Sequence, residues 1–323
     1  MSPIQTTEPL YDCIIIGAGP AGMSAGVYLA RRQLKTLILS KDIGGQAAWS
    51  SDVENYLGYH LVSGTELAAK FADHLKDFDI QLIQGAEVRS IAGLAPEFVV
   101  TTQDGIYHSK SVLIAAGKTP RKLNVPGEQE FLGKGVIYCA TCDAPLFKNK
   151  EVAVIGGGNS ALDAVMQLDK LATKVYLINL MDTFAPTADA ILVSRLSQSP
   201  KIEVIMASQT KEIKGSKVVE SIIIEDAKTK APREIAVQGV FIEIGSEPSV
   251  SYLPTEMKLN QWKEIMIDEH NMTSVEGIFA GGDVTEVIEK QVVIAAGEGA
   301  KAALGVSRFL ETHHYAESSK QQY

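Results

Sequence analysis

Basic charge, cysteine and long apolar runs are all scarce in this chain. Thirty Lys and Arg stand against 39 Asp and Glu over 323 residues, a net charge of -9. That balance disfavours nucleic acid as a partner, because phosphate binding needs a basic face. No stretch approaches the roughly 18–20 apolar residues of a membrane span, so no membrane partner is expected. The opening MSPIQTTEPLYD has neither a basic n-region nor an apolar h-region, so export is not expected. Three cysteines are too few for a secreted disulfide framework. One C-x-x-C and a solitary Cys13 fit a reducing compartment and a working dithiol. A soluble, cytoplasmic protein is the expectation. At this length one hydrophobic core is too small, so two domains are expected.

What is present is a repeated β-α-β pattern. Tyr11 to Ile16 is an apolar run ending in Gly17-Ala18-Gly19-Pro20-Ala21-Gly22. A helical pattern follows to Arg31-Arg32, and Thr36 to Leu39 reads as the next strand. A lone G-x-G-x-x-G is weak, but strand, glycine turn, helix and strand within about 30 residues is the dinucleotide-binding context. Gly17, Gly19 and Gly22 permit the tight turn, the close backbone approach and the helix–strand packing. The helix N-terminus offers free N–H groups to a pyrophosphate. The pattern recurs at Glu151 to Ile155, Gly156-Gly157-Gly158-Asn159-Ser160-Ala161, a helix through Leu168, and Lys174 to Ile178.

Two further segments, Ser111 to Gly117 and Gly277 to Asp283, read as strands ending in small residues. They look like edges of one domain interrupted by an insertion. The expected fold is α/β, with two Rossmann-like dinucleotide-binding domains, the second inserted in the first. Residues 1–118 and 246–323 form the discontinuous outer domain and 119–245 the inserted one, with hinges at Gly117–Pro120 and Gly245–Pro248.

Cys139-Ala140-Thr141-Cys142-Asp143 is the most specific signal. A zinc site would want two more Cys or His ligands at suitable spacing, and none is clustered nearby, so no metal is expected. A C-x-x-C lets both sulfurs meet across one turn and depresses one thiol's pKa so that a thiolate can act. Asp143, directly after the pair, suits a general acid/base for the thiol proton. Cys13, inside the first apolar strand, is expected to be inert core.

With Lys41-Asp42-Ile43-Gly44-Gly45-Gln46, Val53 to Gly58, Ala116-Gly117 and Gly282-Asp283, the chain resembles the low-molecular-weight thioredoxin reductases from about Asp12 to Leu310. The resemblance implies FAD as cofactor. By it Gly44, Gly45, Gln46 and Asn55 line the flavin, Asp283 bonds the ribityl chain, and Gln291-Val292 presents backbone N–H groups to the ring. Pro20, Ala21, Ser40, Lys41, Val88, Ala116, Gly117, Gly282 and Lys290 complete the implied cofactor set. The resemblance also makes Cys142 the cysteine facing the flavin and Cys139 the one attacking a substrate disulfide, that of thioredoxin or a similar protein. It implies rotation of the inserted domain and a homodimer.

The chain departs from that family at the second nucleotide site. NADPH-dependent relatives carry His-Arg-Arg at the end of the following strand and another Arg soon after; Asn179, Leu180, Met181 and Ala185 stand here. A 2′-phosphate needs paired cations, so NADPH is not expected. NADH would want an acid at Asn179, and Lys290 replaces the family's Arg. In its lost arginines the chain resembles lineages that take electrons from ferredoxin, and a variant of these holds a second flavin in the vacated site. The Leu180-Met181 pair fits either an aromatic ring or core packing. The tail from Thr312 through Tyr323 is either a frayed terminus or an aromatic cover for the flavin. Arg31, Arg32 and Lys35 are the candidate basic cluster for an acidic ferredoxin. Alternatives to the ferredoxin-fed reductase are an NADH- or NADPH-dependent one and a redox-sensing protein that keeps FAD without turnover.

Overall fold

A computed structural model describes residues 9–50, 53–313 and 315. The first strand, β1 (Leu10–Ala18), passes through helix α1 (Pro20–Arg31) to β2 (Thr36–Ile43). Helix α2 (Gly64–Leu75) leads to β3 (Ile80–Gln84), and a meander follows: β4 (Val88–Leu94), β5 (Glu97–Thr102) and β6 (Ile106–Ile114). These strands form one sheet in the order β3-β2-β1-β6-β5-β4. Neighbours of β1 run parallel to it, while β5 runs antiparallel to both β4 and β6.

The chain then leaves through β7 (Lys118–Pro120) into a second unit. There β8 (Val136–Ile137), α3 (Ala140–Asp143), β9 (Glu151–Ile155), α4 (Asn159–Asp169), β10 (Lys174–Ile178), α5 (Ala190–Leu196) and β11 (Ile202–Ile205) follow in turn. An antiparallel trio, β12 (Ser208–Gly215), β13 (Val219–Asp226) and β14 (Pro232–Ala236), precedes β15 (Gly239–Ile242). Five of these strands make a parallel sheet, β11-β10-β9-β15-β8. The chain returns through β16 (Ser246–Pro248), which pairs antiparallel with β7 so that Glu247 faces Thr119. Late in the chain β17 (Ile278–Ala280) adds parallel to β6, and α6 (Val292–Thr312) packs on α1.

Period-2 alternation explains how each sheet is covered twice. In β1, Cys13 and Ile15 point into the core shared with α1 and α6, whereas Ile14 and Ile16 point to the opposite one. In β9, Val152 and Val154 pack under α4, and Ala153 and Ile155 face the antiparallel trio. Cys13 is fully buried, and burial pushes its thiol up to about 12, so it is inert at neutral pH.

Glycine governs the closest approaches. Gly17 has φ +108°, and a Cβ there would stand 2.4 Å from Ala115 O. A Cβ on Gly22 would fall 1.8 Å from Gly17 O, and one on Gly299 in α6 would fall 1.9 Å from Ala21 O. Backbone therefore meets backbone where α1 starts, and any side chain would separate the elements.

Candidate functional site

The parallel strands of the first sheet end together, and a cavity of about 760 Å³ opens there. That is the ordinary size of a cofactor cleft, and its position outside the carboxyl ends of the strands follows the rule for open α/β sheets. Gly17, Gly19, Pro20 and Ala21 form one wall; Ser40 and Lys41 another; Gly45, Gln46 and Val88 a third. Ala116, Gly117, Asp283, Lys290, Gln291 and Val292 close it. Cys139, Cys142 and Asp143 line the same cavity, so residues more than a hundred positions apart meet there.

Four expected cofactor residues do not line the cavity: three glycines packed behind its wall and the exposed Asn55. Gly22 is buried against Gly17. Gly44 (φ +95°) packs on Ala68, and Gly282 (φ +77°) packs on Ala21. Asn55 donates from Nδ2 to Gln291 Oε1 at 3.1 Å and so orients a lining residue. Ser40 does both jobs. Its Oγ accepts from Ala18 N at 3.0 Å and donates to Asp42 O at 2.6 Å, locking the glycine turn to β2.

These residues fit FAD. A Cβ on Gly19 would meet nothing within 4 Å, so the turn is open on the cavity side. The first turn of α1 has no acidic side chain and Gly19 offers no side-chain cap, which leaves its N–H groups for a pyrophosphate. Burial raises the Asp283 carboxyl pKa against the opposing charges of Lys290 and Lys118, as suits an acceptor for ribityl hydroxyls.

No pattern in the sequence marks the ion cluster that includes the cavity residues Lys118 and Lys290. Glu264 is 8% exposed and pairs with Lys118 on the β7 ribbon and with Lys290 at 3.3 Å. Burial opposes its charge, but hydrogen bonds from Lys118 and Asn260 and the charge of Lys290 outweigh that and hold the carboxyl below its usual range. A depressed carboxylate contributes stability above its unfolded pKa and loses it as pH falls through the folded value. Glu264→Gln removes the carboxylate that bridges two half-buried lysines and should cost about 3 kcal/mol at pH 7. The deficit should shrink as pH falls from the ordinary carboxylate range through the lower folded value of Glu264, where the wild-type carboxyl is protonated too. Urea midpoints of both proteins across pH check this.

Cys139 and Cys142 are joined in a disulfide at the start of α3, with Cα atoms 5.4 Å apart. Cys139 precedes the helix in extended conformation, and the amides of Cys142 and Asp143 both donate to its carbonyl at 3.2 Å. Asp143 is 4% exposed.

Around the second glycine turn the loop after β10 folds back on the turn. Ala185 N donates to Gly157 O at 2.9 Å, and Asn159 at the start of α4 bonds both Thr187 O and Asp189 N. Asn179 is buried, its Nδ2 donating to Thr183 O at 2.8 Å, with its side-chain amide against Gly157. Carboxylates gather there: burial raises Asp163, which Asp189 reinforces, and burial pushes Glu243 up to about 7, with Asp163 adding to it. Leu180 and Met181 are 58% and 61% exposed, which overturns the core-packing reading of that pair.

The structure also places parts of two other expected features. His313 stacks on Tyr315 and both rings meet Phe309 at the C-terminal end of α6. The helix begins at the cavity with Val292 and spans 21 residues, about 30 Å, so neither ring covers this chain's own cavity. His314 and residues 316–323 lie outside the described residues. Arg31, Arg32 and Lys35 sit at the N-terminal end of β2, the opposite end of the sheet from the cavity, and Arg32 is paired with Glu311.

The profile described as Pyridine nucleotide-disulphide oxidoreductase matches residues 11–299. The chain is 38% identical over 312 residues to an NADH dehydrogenase of Bacillus subtilis, covering 96% of this chain and 60% of that protein. It thus spans about 60% of the length of such curated relatives. Among solved structures, a thioredoxin reductase from Streptococcus pyogenes matches with TM-score 0.88 and 37% identity over 95% of this chain and 100% of that one. A ferredoxin-flavin thioredoxin reductase from Clostridium acetobutylicum matches with TM-score 0.51 and 30% identity over 94% and 99%.

Proposed function

This chain belongs to the pyridine nucleotide-disulphide oxidoreductase family, and on that premise we propose that it reduces a protein disulfide, of thioredoxin or a similar protein, through FAD and the Cys139–Cys142 pair. One observation carries the reading: the disulfide opens onto the cavity that the first glycine turn lines. Gly17–Ala21, Gly45, Gln46 and Asp283 would hold FAD, which would supply two-electron chemistry beside the pair. The protein's own part begins at the sulfurs. When the S–S bond opens, Cys142 is the thiol kept at the cavity and Cys139 the nucleophile for a partner disulfide, while Asp143, buried beside them, holds the proton that moves between thiol and thiolate. Cys139 lies inside the cavity, so a bulky partner needs the unit of residues 119–245 to turn on the β7–β16 ribbon, relative to residues 1–118 and 246–323.

For the electron donor we propose a one-electron carrier of the ferredoxin kind rather than NADPH. Support comes from the loop Asn179–Ala185, which carries no cation for a 2′-phosphate and is bonded to the second glycine turn. The carboxylates Asp163, Asp189 and Glu243 further disfavour a pyrophosphate there. The ferredoxin-flavin enzyme among the structural matches supports the same reading. A second reading is NADH as donor, favoured by the name of the Bacillus subtilis relative. Anaerobic titration of the flavin absorbance decides between them. Reduced ferredoxin should bleach the flavin, whereas NADPH at about micromolar concentration should not; rapid bleaching by either nucleotide overturns the ferredoxin reading.

A further inference from the structure

Glu243 follows directly on β15 and continues its ladder, its amide donating to Ile155 O at 2.8 Å. Its carbonyl stands where a Cβ on Gly156 would meet it at 2.3 Å, so the backbone is wedged beside the second glycine turn. The side chain turns the other way. Its Oε1 accepts a hydrogen bond at 3.2 Å from Ala140 N, the amide between Cys139 and the rest of the redox turn. Cys139 gives α3 no side-chain cap, so the acceptor for this amide arrives from a different strand, 103 residues along the chain.

Charge at this carboxyl is tied to charge at the sulfurs. Burial holds the group up at about 7 although the Ala140 amide works the other way, and Asp163 on α4 adds to the rise. Around it stand Asp163 from α4, the Ala140 amide of the redox turn, next in the chain to Cys139, and the backbone of the Gly156 turn. Asp163, the charged group that acts on it, is acidic too. A thiolate formed at the turn therefore meets a like charge if Glu243 is ionised and none if it is protonated.

We propose that Glu243 is a positioning residue for the Cys139–Cys142 couple, anchoring the turn through Ala140 and taking up a proton as the disulfide opens. This rests on the reading that the pair cycles between disulfide and dithiol. The step balances as follows: the S–S bond and an ionised Glu243, with two electrons and two protons, give one thiol, one thiolate and a neutral Glu243. The electrons come from the reduced flavin in turnover, or from a dithiol in the test. On reoxidation the proton leaves Glu243 as the thiolate forms its new sulfur–sulfur bond.

The test equilibrates the FAD-loaded protein with dithiothreitol couples at several pH values near neutrality and counts free thiols by alkylation and mass spectrometry. Glu243→Gln keeps a hydrogen-bond acceptor for Ala140 without the titrating proton, and Glu243→Asp keeps the carboxyl. For the wild type the equilibrium constant of the half-reaction should fall about thirtyfold per pH unit at pH 7, where the carboxyl is half-ionised in the disulfide form, and approach a hundredfold per unit above it, two protons for two electrons. In the Gln variant it should fall about tenfold, and the Asp variant should return toward the wild-type slope. Equal slopes in wild type and Gln variant overturn the proposal. Failure of the wild type to show any reversible two-electron couple defeats the disulfide-reductase reading itself, a different result from equal slopes.

Discussion

Cys142→Ser is expected to lower turnover of a protein disulfide by on the order of 10⁴-fold or more, with FAD still bound. A serine oxygen cannot form the second half of the disulfide, so the only sulfur pair at the cavity among the described residues is lost. Removing a covalent participant typically costs this much, because what remains is binding without the bond-making step. The third cysteine, Cys13, cannot substitute as a partner for Cys139: it is buried in the first sheet and its thiol is held up at about 12. Cofactor retention follows because the proposed cradle at Gly17, Gly19, Gln46 and Asp283 is built from other elements. Steady-state turnover with a thioredoxin-type substrate, beside the visible spectrum of the purified variant, checks both halves. Undiminished turnover would remove the pair from the mechanism. Loss of the spectrum would mean that the α3 turn is part of the cofactor wall rather than only its reaction partner.

The second large effect is on the fold beneath the cofactor. Gly22→Ala should destabilise the protein by about 4 kcal/mol or more and bleach its yellow colour, although alanine favours helix over glycine by about 1 kcal/mol. The new Cβ would lie 1.8 Å from Gly17 O, and that oxygen belongs to a backbone turn already fixed at φ +108°. Relief would have to move α1 off β1, breaking the contact at Gly299 as well. Gly297→Ala is the matched control. It stands on the exposed side of α6, where a Cβ meets nothing within 4 Å, and should stabilise by about 0.5–1 kcal/mol. Urea midpoints and bound FAD, measured on both variants, separate a steric cause from a general effect of mutating helical glycines. Equal effects at the two sites would refute the steric account.

Much of this site could be read in advance because its parts are local. A glycine turn needs glycine at fixed offsets, so Gly17, Gly19 and Gly22 are visible as a pattern. The C-x-x-C pair closes within a single turn, and so Cys139, Cys142 and Asp143 are visible in five residues. Missing cations are equally plain: no fold can supply an arginine to Leu180 or Met181. What composition and spacing cannot carry is encounter between distant segments. Glu264 with Lys118 and Lys290, and Glu243 with Ala140, join residues from different strands and loops, and no periodicity marks a charged residue that will be buried. The tail failed for the same reason, since only the course of α6 shows that His313 and Tyr315 end about 30 Å from the cavity.

The amino-acid sequence by itself determined the two β-α-β units, the redox pair and the absence of a cationic nucleotide clamp. Each depends on backbone sterics or side-chain chemistry within a few residues. Tertiary structure decided which residues line the cavity and which brace it, that Leu180 and Met181 lie exposed, and that a carboxyl from β15's end reaches the cysteine turn. Burial and hydrogen-bond partners set those properties, and both arise only when remote strands pack together.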